Sequence, residues 1–321
     1  MKFSPVLSFP VVALAGLIRY IPSSNHPNED IDIRLTETQV KNFQKFLKNS
    51  DSKGSPRASA TGPHVKLWDE NYDPFEDRFL LAYYFDENAT HTTKQRNLIR
   101  KSFDQYGDHT CVKIVEVSEN DARFEHKLKV ISGQGCYSYI GRHYKNQEIS
   151  LGTDCEYATY PIHEVMHALG FWHEHQRPDR DKHVTIHRNR TYLTDEQFIF
   201  AYSTDIWEIY DWQPSGSDYD INSITHYTST MFSKDSDIPV LTYPGTDDAL
   251  IIDNSKTFSP TDIIDINFKY ACNQSAILNR KREPPYAEQP QVSPYNRFSD
   301  CCEIKSTLTY ILLPLIFFYT E

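Results

Sequence analysis

Three histidines and one glutamate are the residues of this 321-residue sequence best suited to chemistry. In an α-helix, residues four apart lie one above the other, so His163 and His167 present two imidazoles on one face at a separation that suits a single Zn²⁺. Glu164 stands next to the first imidazole, where it could hold a water. Gly170 can adopt the left-handed conformation that ends a helix, and the turn would then bring His173 back as a third ligand.

Three protein ligands leave a coordination position open, which is typical of a catalytic zinc site and not of a structural one. The alternative is an amphipathic helix that happens to carry histidines. A His-Glu-x-x-His match arises by chance in roughly a few per cent of such chains, and the added His173 lowers that to about one in a thousand. The pattern therefore predicts one Zn²⁺ per chain, with His163, His167 and His173 as its ligands.

The elements that must position these residues follow from the apolar pattern. Residues 78–85, 111–117 and 127–131 are strand-like, and a helix over 92–106 separates the first two. The order strand, helix, strand, strand favours a mixed sheet with a helix packed on it, an α+β fold. Near the other end, a serine cap, a proline and an early aspartate predict a helix over 260–271.

The amino-terminal region is expected to be removed in two steps. Residues 1–15 have the charged start, apolar run and small-residue site of a secretory signal peptide, and the alternative is a buried strand. Residues 16–57 are polar and turn-rich, with a helix over 36–47 and a Ser/Gly/Pro-rich stretch after it. We interpret them as a propeptide or leader that contributes no core.

Composition and charge limit the partners. The chain has 33 Lys and Arg against 44 Asp and Glu, a net charge of −11, and no long basic run, so nucleic acid is an unsuitable partner. Apolar stretches are too short for a multi-pass membrane protein. Six cysteines and glycosylation sequons at Asn88, Asn189 and Asn273 fit a secreted protein.

The carboxyl-terminal region is expected to be a stalk followed by a tail. Residues 275–300 are rich in Pro, Gln and Asn and are interpreted as a disordered stalk. In the tail, 301–321, the apolar run of residues 308–319 fits a GPI-attachment signal, a short membrane anchor, or a hydrophobic tail without either role. The adjacent Cys301 and Cys302 could bridge chains, be lipidated, or be removed with the tail.

A longer run that begins at His163 resembles the signature of the astacin family of zinc metalloendopeptidases, within the metzincins. The likeness extends from residue 67 to residue 272. The matching run is His163-Glu164-x-x-His167-x-x-Gly170-Phe171-x-His173-Glu174-x-x-Arg177-x-Asp179-Arg180-Asp181.

This resemblance implies a zincin-like fold over residues 58–274: a mixed sheet with the active-site helix above a cleft, an irregular lower subdomain and a carboxyl-terminal helix. It also implies two disulfides. At the matching positions these pair Cys111 with Cys272 and Cys136 with Cys155.

The resemblance further implies an endopeptidase that hydrolyses protein or peptide substrates. Glu164 would be the general base, and Tyr227 a further zinc ligand that moves to the oxyanion; the alternative for Tyr227 is a half-buried aromatic in a turn. Glu174 would contact the amino terminus created when an activating protease cuts near Arg57-Ala58, or it could be a surface acid. The enzyme is expected outside the cell, secreted or anchored at the surface.

Two departures from the family pattern affect the site. Thr225 stands where the family has a methionine, so the floor under the histidines is expected to be looser and Thr225→Met to stabilise it. Residues 16–66 contain no Phe-x-Gly-Asp, whose aspartate caps the zinc in family zymogens, so latency by that route is not expected. The rival function is a catalytically impaired astacin fold that serves as a binding or adhesion ectodomain, although retention of Glu164 favours the enzyme.

Overall fold

A computed structural model gives the fold. The residues that it describes include a β-sheet and several helices. Several expectations lie outside them: the signal peptide, the cleavage site at Arg57, the sequon at Asn273, the stalk and the tail. The described residues are 32–50, 65–152, 155–204, 217–252 and 257–272.

One mixed sheet forms the upper part of the molecule. Its spatial order is β1-β6-β7-β5-β3, with β4 parallel to β3 on the far side and β2 antiparallel to the start of β3. Strand β1 runs parallel to β6, and β6 runs antiparallel to β7. The strands are β1 (Ile33–Arg34), β2 (Tyr72–Asp73), β3 (Arg78–Phe85), β4 (Val112–Glu116), β5 (Lys127–Ile131), β6 (Cys136–Tyr139) and β7 (Asn146–Leu151).

Helices and short irregular elements make up the rest. The lower part holds three single-turn 3₁₀ helices, Glu174–Gln176, Arg180–Lys182 and Arg188–Arg190, and a two-stranded ladder of β8 (Thr185–Ile186) with β9 (Leu241–Thr242). The α-helices are α1 (Glu37–Ser50), α2 (Thr93–His109), α3 (Thr159–Ala168), α4 (Asp195–Tyr202) and α5 (Pro260–Lys269). The expected α+β fold, with its mixed sheet and carboxyl-terminal helix, is confirmed.

Helix α2 begins where local chemistry favours it and is fastened to the helix of the site. Thr92 and Gln95 form a reciprocal capping box. Its buried face includes Ile99 and Phe103, and the hydroxyl of Tyr106 donates a hydrogen bond to the carbonyl oxygen of Ile162, 2.6 Å away. Helix α2 thereby ties α3 to the sheet.

Helix α3 is enclosed by the core. Ile162, Val165 and Met166 are buried, as expected for a helix that is apolar almost all round. After it, Gly170 has φ +95°, the left-handed conformation predicted from the sequence, and a Cβ there would lie 2.7 Å from Val65. The chain therefore turns at a position that only glycine fills without strain.

The two expected disulfides are present. Cys111 is bonded to Cys272, which joins the start of β4 to the end of α5, and Cys136 is bonded to Cys155. A bond that closes a loop of 161 residues contributes at most about 5 kcal/mol to the free energy of unfolding, mainly by restricting the unfolded chain.

The expectation that the leader contributes no core is wrong for residues 32–43. Ile33, Leu35, Val40 and Phe43 are buried, and they form one apolar cluster with Ile140, Trp172 and Phe200. The alternation of Ile33 and Leu35 and the helical spacing of Val40 and Phe43 carry this packing. This segment, which we call the pro-segment (residues 32–50), lies against the rest of the fold.

Within these described residues, no helix is long and apolar enough to cross a membrane.

Candidate metal centre and active site

Three imidazoles converge on one point at the carboxyl-terminal part of α3. The Nε2 atoms of His163 and His167 lie 2.9 Å apart, and the rings of His167 and His173 have centroids 4.7 Å apart. The helix supplies the first two residues one turn apart, and the turn at Gly170 brings in His173. The structure thus brings together all three ligands that the sequence predicts.

The outer nitrogen of each imidazole already has a partner. Nδ1 of His163 lies 2.6 Å from the carbonyl oxygen of Ile224, and Nδ1 of His167 lies 2.8 Å from that of Phe171. Because a carbonyl oxygen only accepts, both Nδ1 atoms must donate. When both rings are neutral, their two facing Nε2 atoms carry lone pairs, and lone pairs at this distance repel each other unless a cation lies between them.

Gln176 fixes the third imidazole in the same way. The indole N–H of Trp172 donates to Gln176 Oε1 over 2.6 Å, so this atom is the amide oxygen. His173 Nδ1, 3.1 Å from the same oxygen, is therefore also a donor. The amide nitrogen of Gln176 donates to Phe200 over 2.8 Å. Hydrogen bonds of this kind set the ring orientation of metal-binding histidines, and Gln176 was not identified from the sequence.

Electrostatics keeps the site ready for a cation. Burial, together with the positive charge of a protonated His163, lowers the pKa of His167 to about 4. A neutral imidazole is the form that binds metal. Three nitrogen donors in a buried setting fit Zn²⁺ and leave room for a fourth ligand.

Glu164, which follows His163 in α3, has no hydrogen-bond partner among the described residues. Its side chain is fully buried, and neither carboxylate oxygen accepts a hydrogen bond. Burial raises the pKa of Glu164 well above its usual value. A buried acid that lacks hydrogen bonds is costly unless a cation or a bound molecule compensates for it, and this fits a metal beside it.

The pro-segment supplies a fourth candidate ligand, the carboxylate of Asp32. Asp32 Oδ2 lies 2.8 Å from His163 Nε2 and 3.1 Å from His173 Nε2, so the four candidate ligand atoms fall within 4.8 Å of one another. Backbone pairing holds it there, because the Asp32 carbonyl accepts from Ser138 N over 2.9 Å. The chain lacks Phe-x-Gly-Asp, and Asp32 nevertheless brings a carboxylate to the three histidines.

Tyr227 lies beside the third histidine. Its ring centroid is 4.5 Å from that of His173 and 4.0 Å from that of His175, on which it stacks. Burial raises the pKa of its phenol well above 10, so the hydroxyl stays protonated and can donate. His175 is fully buried, and its Nε2 lies 2.9 Å from the carbonyl oxygen of Ala201.

The floor under the histidines is a hydrogen-bonded turn. The hydroxyl of Thr225, which is buried, lies 3.0 Å from that of Ser223, and Ser223 donates to Asp262 over 2.7 Å. The other oxygen of Asp262 accepts from Ile224 N over 2.9 Å, and Ile224 in turn holds His163. The looser floor was expected because threonine is shorter than methionine and its hydroxyl needs a partner when buried; the structure supplies that partner.

Glu174 is a buried acid in a polar pocket. Its Oε1 accepts from Arg177 Nη1 and from Asp220 N, each over 3.0 Å. Burial raises its pKa to about 8 even though Arg177 acts in the opposite direction. The reading of Glu174 as a plain surface acid is wrong. Of the predicted sequons, Asn88 and Asn189 are exposed.

Comparison with known proteins places this geometry in a family. The family model of Astacin, a peptidase family, matches residues 72–271. The chain belongs to the astacin family. It is similar to zinc metalloproteinase nas-6 of Caenorhabditis elegans (32% identical over 230 residues, 68% of this chain and 64% of nas-6) and to meprin A subunit beta of Rattus norvegicus (27% over 268 residues, 83% of this chain and 36% of the meprin subunit).

A solved structure of the astacin type has a similar fold. High choriolytic enzyme 1, a hatching enzyme zinc-protease from Oryzias latipes (Medaka fish), superposes with a TM-score of 0.55 at 25% identity, over 64% of this chain and 94% of that one. The chain spans 64% and 36% of the lengths of the two relatives above. The family, its peptidase class and its fold are thus shared with proteins named as zinc proteases.

Proposed function

We propose that this chain is a zinc-dependent endopeptidase that cleaves protein or peptide substrates in the extracellular space. One observation carries the proposal: three Nε2 atoms with fixed tautomers converge beside Glu164, a buried acid without a partner among the described residues. His163, His167 and His173 would hold one Zn²⁺. The peptidase domain would cover residues 58–274, behind a signal peptide (1–15) and a propeptide (16–57).

Glu164 would move the proton in the reaction. Bound zinc supplies Lewis acidity, which activates water and polarises the scissile carbonyl. Glu164 accepts a proton from the attacking water and passes it to the leaving amine nitrogen, as a general base and then a general acid.

Tyr227 would stabilise the charge that develops on the carbonyl oxygen. Its phenol stays protonated because burial raises its pKa, so it can donate a hydrogen bond to an oxyanion. Stacking on His175 and contact with His173 keep its ring next to the metal ligands.

The pro-segment would keep the enzyme latent. Asp32 occupies the position that a fourth zinc ligand needs, and Ile33, Leu35, Val40 and Phe43 anchor it by apolar packing. Cleavage near Arg57-Ala58 by an activating protease would release this segment. The new amino group would then pair with Glu174, whose buried carboxylate can take a second cation besides Arg177.

The location is inferred from the covalent features. Two disulfides and exposed Asn88 and Asn189 suit an oxidising compartment with glycosylation. The stalk (275–300) and tail (301–321) would leave the enzyme either secreted or tethered at the cell surface.

The function is tested with the full chain, processed by trypsin after Arg57 and then freed of trypsin activity by a serine-protease inhibitor. We expect the processed protein to cleave members of a peptide library, a chelator to abolish cleavage, and added Zn²⁺ to restore it. Zinc binding without cleavage would instead favour the binding or adhesion ectodomain.

Latency is tested on the unprocessed chain. We expect wild type to be inactive and Asp32→Ala to cleave peptides without trypsin treatment, since the carboxylate no longer fills the site. Thr36→Ala, which removes the acceptor of a hydrogen bond from Gln39 N within the pro-segment (3.3 Å), is the matched control and should remain largely latent. Equal activity of unprocessed wild type and Asp32→Ala would contradict the role given to Asp32.

A further inference from the structure

A second contact of the pro-segment lies two residues beyond Asp32, at Arg34. The guanidinium carbon of Arg34 stands 3.7 Å from the centroid of the Tyr137 ring. Nη1 of Arg34 lies 3.5 Å from Glu148 Oε2. An aromatic face and a carboxylate together make a receptor for a planar cation.

This receptor belongs to the sheet and not to the pro-segment. Tyr137 is in β6 and Glu148 in β7, and the Cys136–Cys155 disulfide fixes the start of β6. Only the guanidinium is contributed by β1. When β1 leaves, β6 becomes the edge strand of the described sheet, and its backbone groups are then free to pair with an extended peptide.

The charges around Glu148 indicate which kind of side chain would bind there once Arg34 has left. Glu148 Oε1 lies 4.0 Å from Lys129 Nζ, but that ammonium is closer to Asp86, at 2.7 Å. With Arg34 in place, two cations face Glu148 and Asp86, and Glu119 adds a third carboxylate that acts on Lys129. Without Arg34, Lys129 alone opposes these carboxylates, so the cluster beside the aromatic ring is more negative.

We propose that Tyr137 and Glu148 form a substrate subsite for a basic side chain, preferably arginine, and that Arg34 occupies this subsite in the latent chain. The proposal rests on the proposed peptidase function. A peptide that pairs with the free edge of β6 passes the same two side chains. Asp32 lies among the three histidines, where the cleaved bond would bind, and Arg34 is two residues further along the chain. The basic residue of a substrate is therefore expected two or three positions from the cleaved bond. The flat ring favours arginine over lysine.

The test uses processed full chain and quenched peptides of one sequence that carry either Arg or norleucine at a single position, scanned along the peptide. At one position, two or three residues from the cleaved bond, kcat/KM for Arg is expected to exceed that for norleucine by about 3- to 10-fold, as for a partly exposed ion pair with cation–π stacking. Glu148→Gln should bring the ratio toward one, and Glu148→Lys below one.

Two controls separate recognition from a general loss of activity. Tyr137→Phe keeps the ring and should keep the ratio, while Tyr137→Leu should lower it. Glu125→Gln changes another half-exposed acid, paired with Lys145 over 2.9 Å, and should have no effect. A ratio near one at every position in wild type, or a ratio unchanged in Glu148→Lys, would overturn the subsite.

Failure of the proposed function is distinguishable by binding. The same peptide pairs are titrated against processed Glu164→Gln, which is expected to bind without cleaving. If wild type cleaves no peptide but this variant still binds the Arg peptide more tightly than the norleucine peptide, the result supports the subsite and contradicts the peptidase function. If cleavage occurs without an Arg preference in either assay, the peptidase stands and the subsite falls.

Discussion

The two sides of the metal centre are built by different means. On one side, α3 holds His163 and His167 by regular backbone geometry inside an apolar core. On the other side, the turn of residues 223–227 has no regular structure, and hydrogen bonds from the Ser223 hydroxyl and Ile224 N to the Asp262 carboxylate hold it. A substitution in the helix should therefore act through ligation and packing, and one in the turn through unpaired polar groups.

The two sides meet at a single peptide segment. Ile224 donates its N–H to Asp262 and accepts from His163 Nδ1 with its carbonyl oxygen. Asp262 is also the N3 residue of the capping box of α5, where Ser259 is the N-cap, and it accepts from Ser259 N over 2.8 Å. The first turn of α5 thus positions a histidine of α3 through the turn, and damage there should reach the metal.

The largest effect is expected on the helix side. His167→Ala removes a ligand and leaves a cavity in the core, so zinc affinity should fall by more than the roughly 10- to 100-fold typical of losing an outer hydrogen-bond partner. Thermal stability should fall with it, because metal binding and folding are coupled. Zinc content and melting temperature measure both. His187→Ala, a histidine outside the site, should keep its zinc, and an equal loss there would contradict this explanation.

On the turn side, Asp262→Leu should be the most damaging change. It leaves the amides of Ile224 and Ser259 and the hydroxyl of Ser223 without their acceptor, at a cost of about 3 kcal/mol or more in the free energy of unfolding. Asp262→Asn keeps an oxygen for both amides and should cost about 1 kcal/mol or less. Denaturant unfolding compares the two, and equal destabilisation would show that shape and not hydrogen bonding matters here.

The same residue predicts a pH dependence. Burial raises the pKa of Asp262 to about 6, above the 3.8 of an exposed aspartate, so the folded chain binds this proton more tightly than the unfolded chain. Its contribution to stability is therefore fully present below about pH 4 and is lost as the pH rises through about 6. The melting temperature of wild type minus that of Asp262→Asn should fall over this interval. A constant difference would contradict the raised pKa.

Regular elements were the part of the fold that could be predicted. The strand at Arg78–Phe85 and the helix at Pro260–Lys269 follow apolar periodicity and caps, which are local signals. Strands β6 and β7 were not identified. Cys136–Tyr139 is only four residues long, and Asn146–Leu151 begins with three polar residues, so neither has a clear alternation.

The residues of the site likewise fall into those that local sequence spacing predicts and those that it does not. His163, Glu164 and His167 could be identified because helix geometry fixes their spacing. Asp32 could not, because it reaches the site through pairing of β1 with β6, a contact between segments more than a hundred residues apart. The only local signal was an aspartate between two isoleucines ahead of a helix. Gln176 likewise acts through hydrogen bonds that no spacing rule describes, and the capping pattern that includes Asp262 does not predict its bond to Ile224 N.

The smallest effect is expected at Thr225. Thr225→Met removes the hydroxyl that Ser223 contacts and adds bulk to a buried turn, so the melting temperature should fall by about 2–4 °C, the shift that ~1 kcal/mol causes in a domain of this size. This is opposite to the stabilisation expected from the sequence. Thr225→Ser keeps the hydroxyl and should lie closer to wild type. A higher melting temperature for Thr225→Met than for wild type would show that the family methionine stabilises this turn better than threonine does.

The central claim is tested most directly by Glu164→Gln in the processed chain, with zinc content and peptide turnover measured on the same sample. Glu164 is not a ligand, so the variant should bind one zinc per chain like wild type, while turnover falls by about 10²- to 10⁴-fold, as for loss of a general base. Wild-type turnover in a variant that retains its zinc would contradict the role of Glu164 and, with it, the mechanism proposed for this chain.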